Sequence, residues 1–575
     1  MKLIRNIIIV LIFIVAVIFC LCIAPNYKKS DYDDRTNLVI NFKNVTSTMK
    51  GEVIRDENNI YISLDDIRNY YDKYIYLDEK YNYIIVSGNG LLVRFDINSD
   101  TVEINNKTSK SKVIKKDNLI YLPINLLKDV YNIDVKYNEK TDIVTIESLD
   151  KELKQAKLNK SVNVKSKKTF LSRTVEEVDQ NGTIYVRESG QVENNEVIID
   201  DSNDIIDKVK AFVKNQKNNN DNDWIYVRTE NGTTGYIHKS NIESITTVRE
   251  EKKYDKETVS IVWDYFENTI AIPKNDSSVS YNGINVVSPS FLFVDENGNI
   301  KENIGDSGQK YILWAKSKGY KIWSMVKCDN LLTDNMRDLL NDYKKREKLI
   351  NQIVESCKTN NFDGVNIDME NINKDDKDAF SRLIIELKPR LENMNMKLSV
   401  DVTAPDGSPN WSLCYDRKVI GDVADYIVFM AYDQTSRKSS NAGSNASYLW
   451  VENNLKKFIK NNEVESTKIV IAIPFYSRLW KINPDGTVVS GYDINIKNQS
   501  KYINKATSKE WLEDAKQNYI EYEESGYTYK MWVEDEKSIS QKLDLISEYN
   551  LAGAAFWEKG CEEESIWSII KEKIF

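Results

Sequence analysis

The sequence predicts an α/β protein. Its C-terminal part, residues 255–575, reads as a closed (β/α)8 TIM barrel, preceded by a small α+β repeat domain and a second β-rich domain. Three observations carry the barrel. Eight short apolar runs are spread along it: Val259–Tyr265, Ile284–Ser288, Lys321–Val326, Gly364–Glu370, Lys397–Thr403, Tyr426–Tyr432, Ile469–Phe475 and Gly553–Trp557. Helical stretches, among them Arg346–Thr359, Lys374–Glu392 and Ser538–Tyr549, separate most of them, and such alternation requires a parallel sheet. Finally, the fourth run is polar on one face. Side chains alternate along a strand, so Asn366, Asp368 and Glu370 share a face while Val365, Ile367 and Met369 take the other. Buried carboxylates need partners or a task, and a barrel keeps its chemistry at the C-terminal ends of its strands.

The chain has 575 residues and a net charge of −9, which leaves no basic excess for nucleic acid. Its single histidine, His238, removes any multi-histidine metal site and leaves a Ser-His-Asp triad one possible member. No metal or other cofactor is expected.

Residues 1–27 carry Lys2 and Arg5 ahead of an unbroken apolar run from Ile7 to Ala24. This is a membrane anchor or a signal segment. The run is about 18 residues, near the length that spans a bilayer. Cys22-Ile23-Ala24 is a poor cleavage site, so an uncleaved anchor with the body of the protein outside is expected.

Residues 38–148 contain an internal repeat. Val53–Val86 aligns without gaps on Val113–Ile146, matching Tyr61 to Tyr121 and Tyr71 to Tyr131. Each copy reads strand, short helix, strand, strand, and two copies can share one core. The pattern resembles the copper amine oxidase N-terminal-like domain. No histidine lies in it, so copper binding through histidine is excluded. In residues 160–247, Trp224–Val227, a turn at Asn231-Gly232 and Gly235–Ile237 resemble the closing hairpin of a bacterial SH3-like domain, a class that often binds peptidoglycan. A polar insertion near 192–223, with a short helix at Ile205–Val213, interrupts it. Within the barrel, Trp480–Met531 is too long for a loop and predicts an added lobe.

Four motifs sit at the ends of predicted strands. Asp363, Asn366, Asp368 and Glu370 resemble the D-x-x-D-x-D-x-E signature of glycoside hydrolase family 18. Met430-Ala431-Tyr432-Asp433 resembles its M-x-Y-D, and Ile473-Pro474-Phe475-Tyr476 its G-I-P-x-Y with Ala472 at the glycine. Phe556-Trp557 resembles the tryptophan that floors its sugar site. Asn366 departs from the usual Asp and resembles the spore-cortex-lytic branch, an N-acetylglucosaminidase-like group.

The resemblance implies the roles. Glu370 is the acid that protonates the leaving oxygen, Asp368 holds the substrate's acetamide, and Tyr432 bonds the acetamide carbonyl. Asp433, Tyr476, Trp557 and Asn366 are assigned to substrate binding, and Asp363 to bracing the strand-four loop. The implied activity is substrate-assisted, retaining hydrolysis of an N-acetylglucosamine-containing wall glycan such as peptidoglycan or spore cortex. A chitinase, or a silent glycan-binding barrel, is the alternative. The expected partners are wall glycan and, through the N-terminal helix, the membrane, in an extracytoplasmic location. Cys328, Cys357, Cys414 and Cys561 show no paired spacing and read as free buried thiols. Asp375, Asp376 and Asp378 read as a solvated helix start.

Overall fold

The structure, a computed structural model, describes residues 35–56, 59–187, 223–252, 257–272, 279–328 and 333–575. The apolar run at 7–24 and the helix expected at 205–213 lie outside them. Among the described residues no helix is long and apolar enough to cross a membrane. The chain divides into two compact units, with the division at residues 254/255.

In the first unit each repeat copy is a hairpin, a short helix and a second hairpin. The extra strands, Ile54–Asp56 and Ile114–Lys116, precede the ones expected. In the second copy the turn that makes this hairpin is Asp117-Asn118, both with positive φ, the conformation a two-residue hairpin loop requires. The first hairpins of the two copies join through Asn59–Ser63 and Leu119–Pro123, antiparallel, with Ile62 opposite its own counterpart Leu122. A local two-fold therefore relates the copies at that pair. Residues 153–249 form a seven-stranded sheet that includes the expected hairpin, Trp224–Thr229 against Thr234–His238. It belongs to the same compact unit as the repeat. A buried ion pair, Arg228 to Glu147 at 3.0 Å, joins the two parts, and Thr141 Oγ1 donates to the Asn231 carbonyl at 2.7 Å.

The second unit is the barrel. Its strands are β1 (Val259–Asp264), β2 (Val286–Pro289), β3 (Lys321–Lys327), β4 (Gly364–Asp368), β5 (Lys397–Val402), β6 (Tyr426–Met430), β7 (Ile469–Pro474) and β8 (Gly553–Trp557). Every neighbouring pair is parallel, and β8 on β1 closes the ring. Closure brings the start of β8 hard against β1: a Cβ on Gly553 would lie 1.7 Å from the Val259 carbonyl oxygen. The expected lobe is a five-stranded antiparallel sheet whose first strand, Tyr476–Ile482, begins two residues after β7.

Helices α1 (Gly305–Ser317), α2 (Thr333–Asn341), α3 (Tyr343–Asn360), α4 (Lys377–Glu392), α5 (Arg417–Val423), α6 (Tyr448–Lys460), α7 (Glu536–Glu548) and α8 (Ile566–Ile574) cover the barrel. On α3, Leu349, Ile350, Ile353 and Cys357 repeat at helical spacing and are fully buried. No disulfide joins Cys328, Cys357, Cys414 and Cys561; the first three are buried and Cys561 is half-buried. The acidic start of α4 is not wholly solvated. Asp376 is buried because it accepts from Asn341 Nδ2 at 2.8 Å and pairs with Arg337 Nε at 3.2 Å.

Helices α3 and α4 flank β4 in sequence and are locked together by Arg346 and Glu386, both fully buried. Arg346 Nη2 and Nε donate to Glu386 Oε1 at 2.8 and 3.1 Å. Removing one partner strands a buried charge. Glu386→Ala is expected to cost about 3–5 kcal/mol in urea unfolding, whereas replacing both residues by apolar ones costs far less.

Candidate active site

Strands β3, β4 and β5 run side by side in register. Met325, Asn366 and Ser399 share one row, and Lys327 stands opposite Asp368. Val365 and Ile367 pack into the layer under the helices. Asn366 and Asp368 point into the barrel. Gly364 begins β4 because a Cβ there would meet the Lys397 carbonyl and the Trp323 ring, each at 2.7 Å.

Asn366 is fully buried below the mouth. Its amide is consumed by neighbours. Trp263 Nε1 donates to its Oδ1 at 2.8 Å, and its Nδ2 donates to Asp401 Oδ1 at 2.7 Å and Ser399 Oγ at 3.0 Å. Asp363 lies at the opposite end of β4 from the mouth. It accepts from the Ile322 N–H at 3.0 Å and from Lys321 Nζ at 3.2 Å, and so braces the start of β3.

The other expected residues converge. Glu370, two residues past the end of β4, lines a cavity of about 300 Å³ with Asp368, Tyr432, Asp433, Tyr476 and Trp557. The backbone that leads to Glu370 is held by Tyr415, whose O–H donates to the Met369 carbonyl at 2.9 Å. Asp433, at φ 59°, is fixed by Tyr476 O–H at 3.0 Å and Arg478 Nη2 at 2.9 Å, both donating to its Oδ1. Arg478 is itself paired with Asp493 at 2.8 Å. Trp557 stands edge-on to Trp263, with ring centres 5.8 Å apart, and is half-buried. A wider groove of about 930 Å³ continues past Trp557 to Trp411, Arg437 and Glu558.

Charge at the mouth is settled by burial. Asp401 on β5 is pushed well above the carboxylate range by desolvation first and by the nearby Asp368 charge second, so it is the neutral acid of the cluster. Burial also raises the Tyr432 phenol, with Tyr476 and the surrounding carboxylates adding to it, so Tyr432 keeps its proton as a donor. Glu558 is pushed up to about 7 by burial and by Asp264. Lys327 pairs with Asp368 Oδ2, and both side chains are buried.

Asp401, Lys327 and Arg478 were missed in the sequence. The signal for Asp401 was present: Ser399, Asp401 and Thr403 alternate in β5 as Asn366 and Asp368 do in β4. Lys327 is a charge closing an apolar strand, the same kind of anomaly.

A neutral carboxyl, a paired carboxylate and an aromatic floor under a long groove suit acid-catalysed cleavage of a sugar linkage, which places the barrel among the glycoside hydrolases. Comparison narrows the class. Residues 262–561 match the glycosyl hydrolases family 18, and the chain belongs to that family. Residues 39–146 match the copper amine oxidase N-terminal domain. The uncharacterized glycosylase YvbX of Bacillus subtilis (strain 168) is 26% identical over 319 residues, 53% of this chain and 90% of that one. Human di-N-acetylchitobiase is 26% identical over 313 residues, 47% of this chain and 77% of that one. The cortical fragment-lytic enzyme of B. subtilis is 23% identical over 247 residues, 41% of this chain and 56% of that one.

Asp401 holds its proton in the folded chain at pH values where the unfolded chain has lost it. The folded state therefore loses stability as pH rises above about 4. Asp401→Asn does not titrate but keeps an acceptor for Asn366. Its melting temperature relative to wild type is expected to rise as pH increases above about 4; parallel curves would contradict the assignment.

Proposed function

We propose that the protein hydrolyses an N-acetylglucosamine-containing cell-wall glycan, peptidoglycan or its spore-cortex form, by substrate-assisted retaining catalysis. One observation carries the mechanism. Asp368 and Glu370 stand two residues apart on one chain segment, with Cα atoms about 6–7 Å apart. Both approach a bound sugar from one side, so Asp368 cannot attack from the far face as a nucleophile while Glu370 protonates the leaving oxygen.

The substrate's acetamide fills that role. Glu370 gives its proton to the glycosidic oxygen as the bond to the anomeric carbon breaks. The acetamide carbonyl oxygen closes on that carbon, and Asp368 accepts from the acetamide N–H, supporting the positive ring that forms. Tyr432 donates to the acetamide oxygen and aligns it. Glu370, now a carboxylate, takes a proton from water, which opens the ring with the original configuration. Asp433, locked by Tyr476 and Arg478, grips a sugar hydroxyl, and Trp557 stacks beneath the ring.

The names of the relatives support both wall glycan and chitin-type oligosaccharide as substrates. The wall is preferred because a β-rich unit of the kind found on wall proteins precedes the barrel. The apolar run at 7–24 would hold the protein at the outer face of the membrane. Fractionation is expected to find it with membranes; a soluble form beginning near Pro25 would count against the anchor.

Glu370→Gln is expected to lower hydrolysis by about 10²–10⁴-fold with glycan binding kept. Thiazoline analogues of N-acetylglucosamine should inhibit competitively, because they resemble the cyclised intermediate. Product analysis on cortex, vegetative peptidoglycan and chitin oligomers tests the substrate. Equal cleavage of deacetylated chains, or a covalent sugar adduct on a carboxylate, would overturn the mechanism.

A further inference from the structure

We propose that Lys327 is a positioning residue for this reaction: its ammonium holds one oxygen of Asp368 and leaves the other for the sugar's acetamide. This rests on the function proposed above.

The geometry starts from an anomaly. Between its terminal lysines β3 is apolar apart from Ser324, and Lys327 closes it facing the cavity while only 6% exposed. Lysine is rarely buried so deeply without a partner, because its ammonium loses its hydration. Register supplies that partner: Lys327 lies opposite Asp368 on β4, and the ammonium contacts Oδ2. The rings of Tyr265 and Trp557 lie beside it, with centres 5.9 and 5.7 Å from Nζ, and the Glu558 carboxyl is near enough to feel its charge.

Asp368 is thereby divided in two. Oδ2 is committed to Lys327, while Oδ1 is buried and meets no hydrogen-bond donor among the described residues. A buried acceptor left this way is costly unless a ligand supplies the donor. An acetamide N–H is such a donor.

The groups around Asp368 show why the lysine is needed. Residue 366, next inward on the same face, offers nothing, because its amide is spent on Trp263, Ser399 and Asp401. Asp401 from β5, Glu370 beyond β4, and Tyr432 and Tyr415 above are acids or phenols. Within this set Lys327 is the cation that can keep Asp368 charged and its plane fixed. A carboxylate with both oxygens unrestrained could turn, or take a proton, and lose the acetamide.

The test compares wild type with Lys327→Met, Lys327→Arg, Asp368→Asn and the double variant K327M/D368N. The readouts are kcat and KM on an N-acetylglucosamine oligomer, thiazoline inhibition, and melting curves. Lys327→Met is expected to lower kcat by about 10²-fold with a smaller change in KM. It should weaken thiazoline inhibition at least about tenfold. Lys327→Arg should recover most of each effect. Wild-type kcat and thiazoline affinity in Lys327→Met would overturn the proposal, as would Lys327→Arg behaving no better than Lys327→Met.

Should Lys327→Met fail to fold, the melting curve of K327M/D368N decides. Removing both charges is expected to restore a transition near that of wild type, and no recovery would overturn the pairing. If wild type leaves every acetylated glycan uncut, the proposed function fails. The Lys327–Asp368 coupling is still judged from the melting curves of the four variants.

Discussion

A carboxylate buried inside a closed barrel must be neutralised by a proton, a cation or a ligand, and the mouth of this barrel answers that demand with the first two and leaves room for the third. Asp401 keeps a proton, Lys327 supplies a cation to Asp368, and one oxygen of Asp368 is left over. The arrangement depends on register. A slip of one residue between β3 and β4 would turn Lys327 or Asp368 outward, into the apolar layer under the helices. The Arg346–Glu386 lock between α3 and α4 and the close approach of Gly553 to Val259 bear on chemistry they never touch, because they hold the strands to their register.

The fold was legible because barrel strands are short, apolar and separated by helices, and all eight runs named in the sequence are strands of the ring. The site was legible where its residues fall at strand ends in motifs: Glu370, Asp368, Tyr432, Asp433, Tyr476 and Trp557 line one cavity. The depth of Asn366 was not legible in the sequence. Alternation says which face a residue takes but not how deep along the barrel axis it sits, and one turn of the pleat separates the cavity from the packed interior. Lys327 and Asp401 each left a signal in their own strands, but their relation to Asp368 is legible only when neighbouring strands are taken together.

In the first unit the sequence disclosed the duplication but not the hairpin that opens each copy. The signal was Asp117-Asn118, a pair able to take positive φ twice, which reads as ordinary polar loop until the flanking strands are paired. Arg228 and Glu147 join the repeat to the sheet that follows it through a buried ion pair that neither segment announces in the sequence.

The pairing of Ile62 with Leu122 carries a further meaning. Each copy alone would expose a strand edge, the kind of surface on which chains aggregate, and each edge is closed by its own likeness. An ancestor with a single copy could have met the same need by pairing with a second molecule. Duplication would then have turned a dimer contact into an internal seam, free of concentration and fixed in stoichiometry.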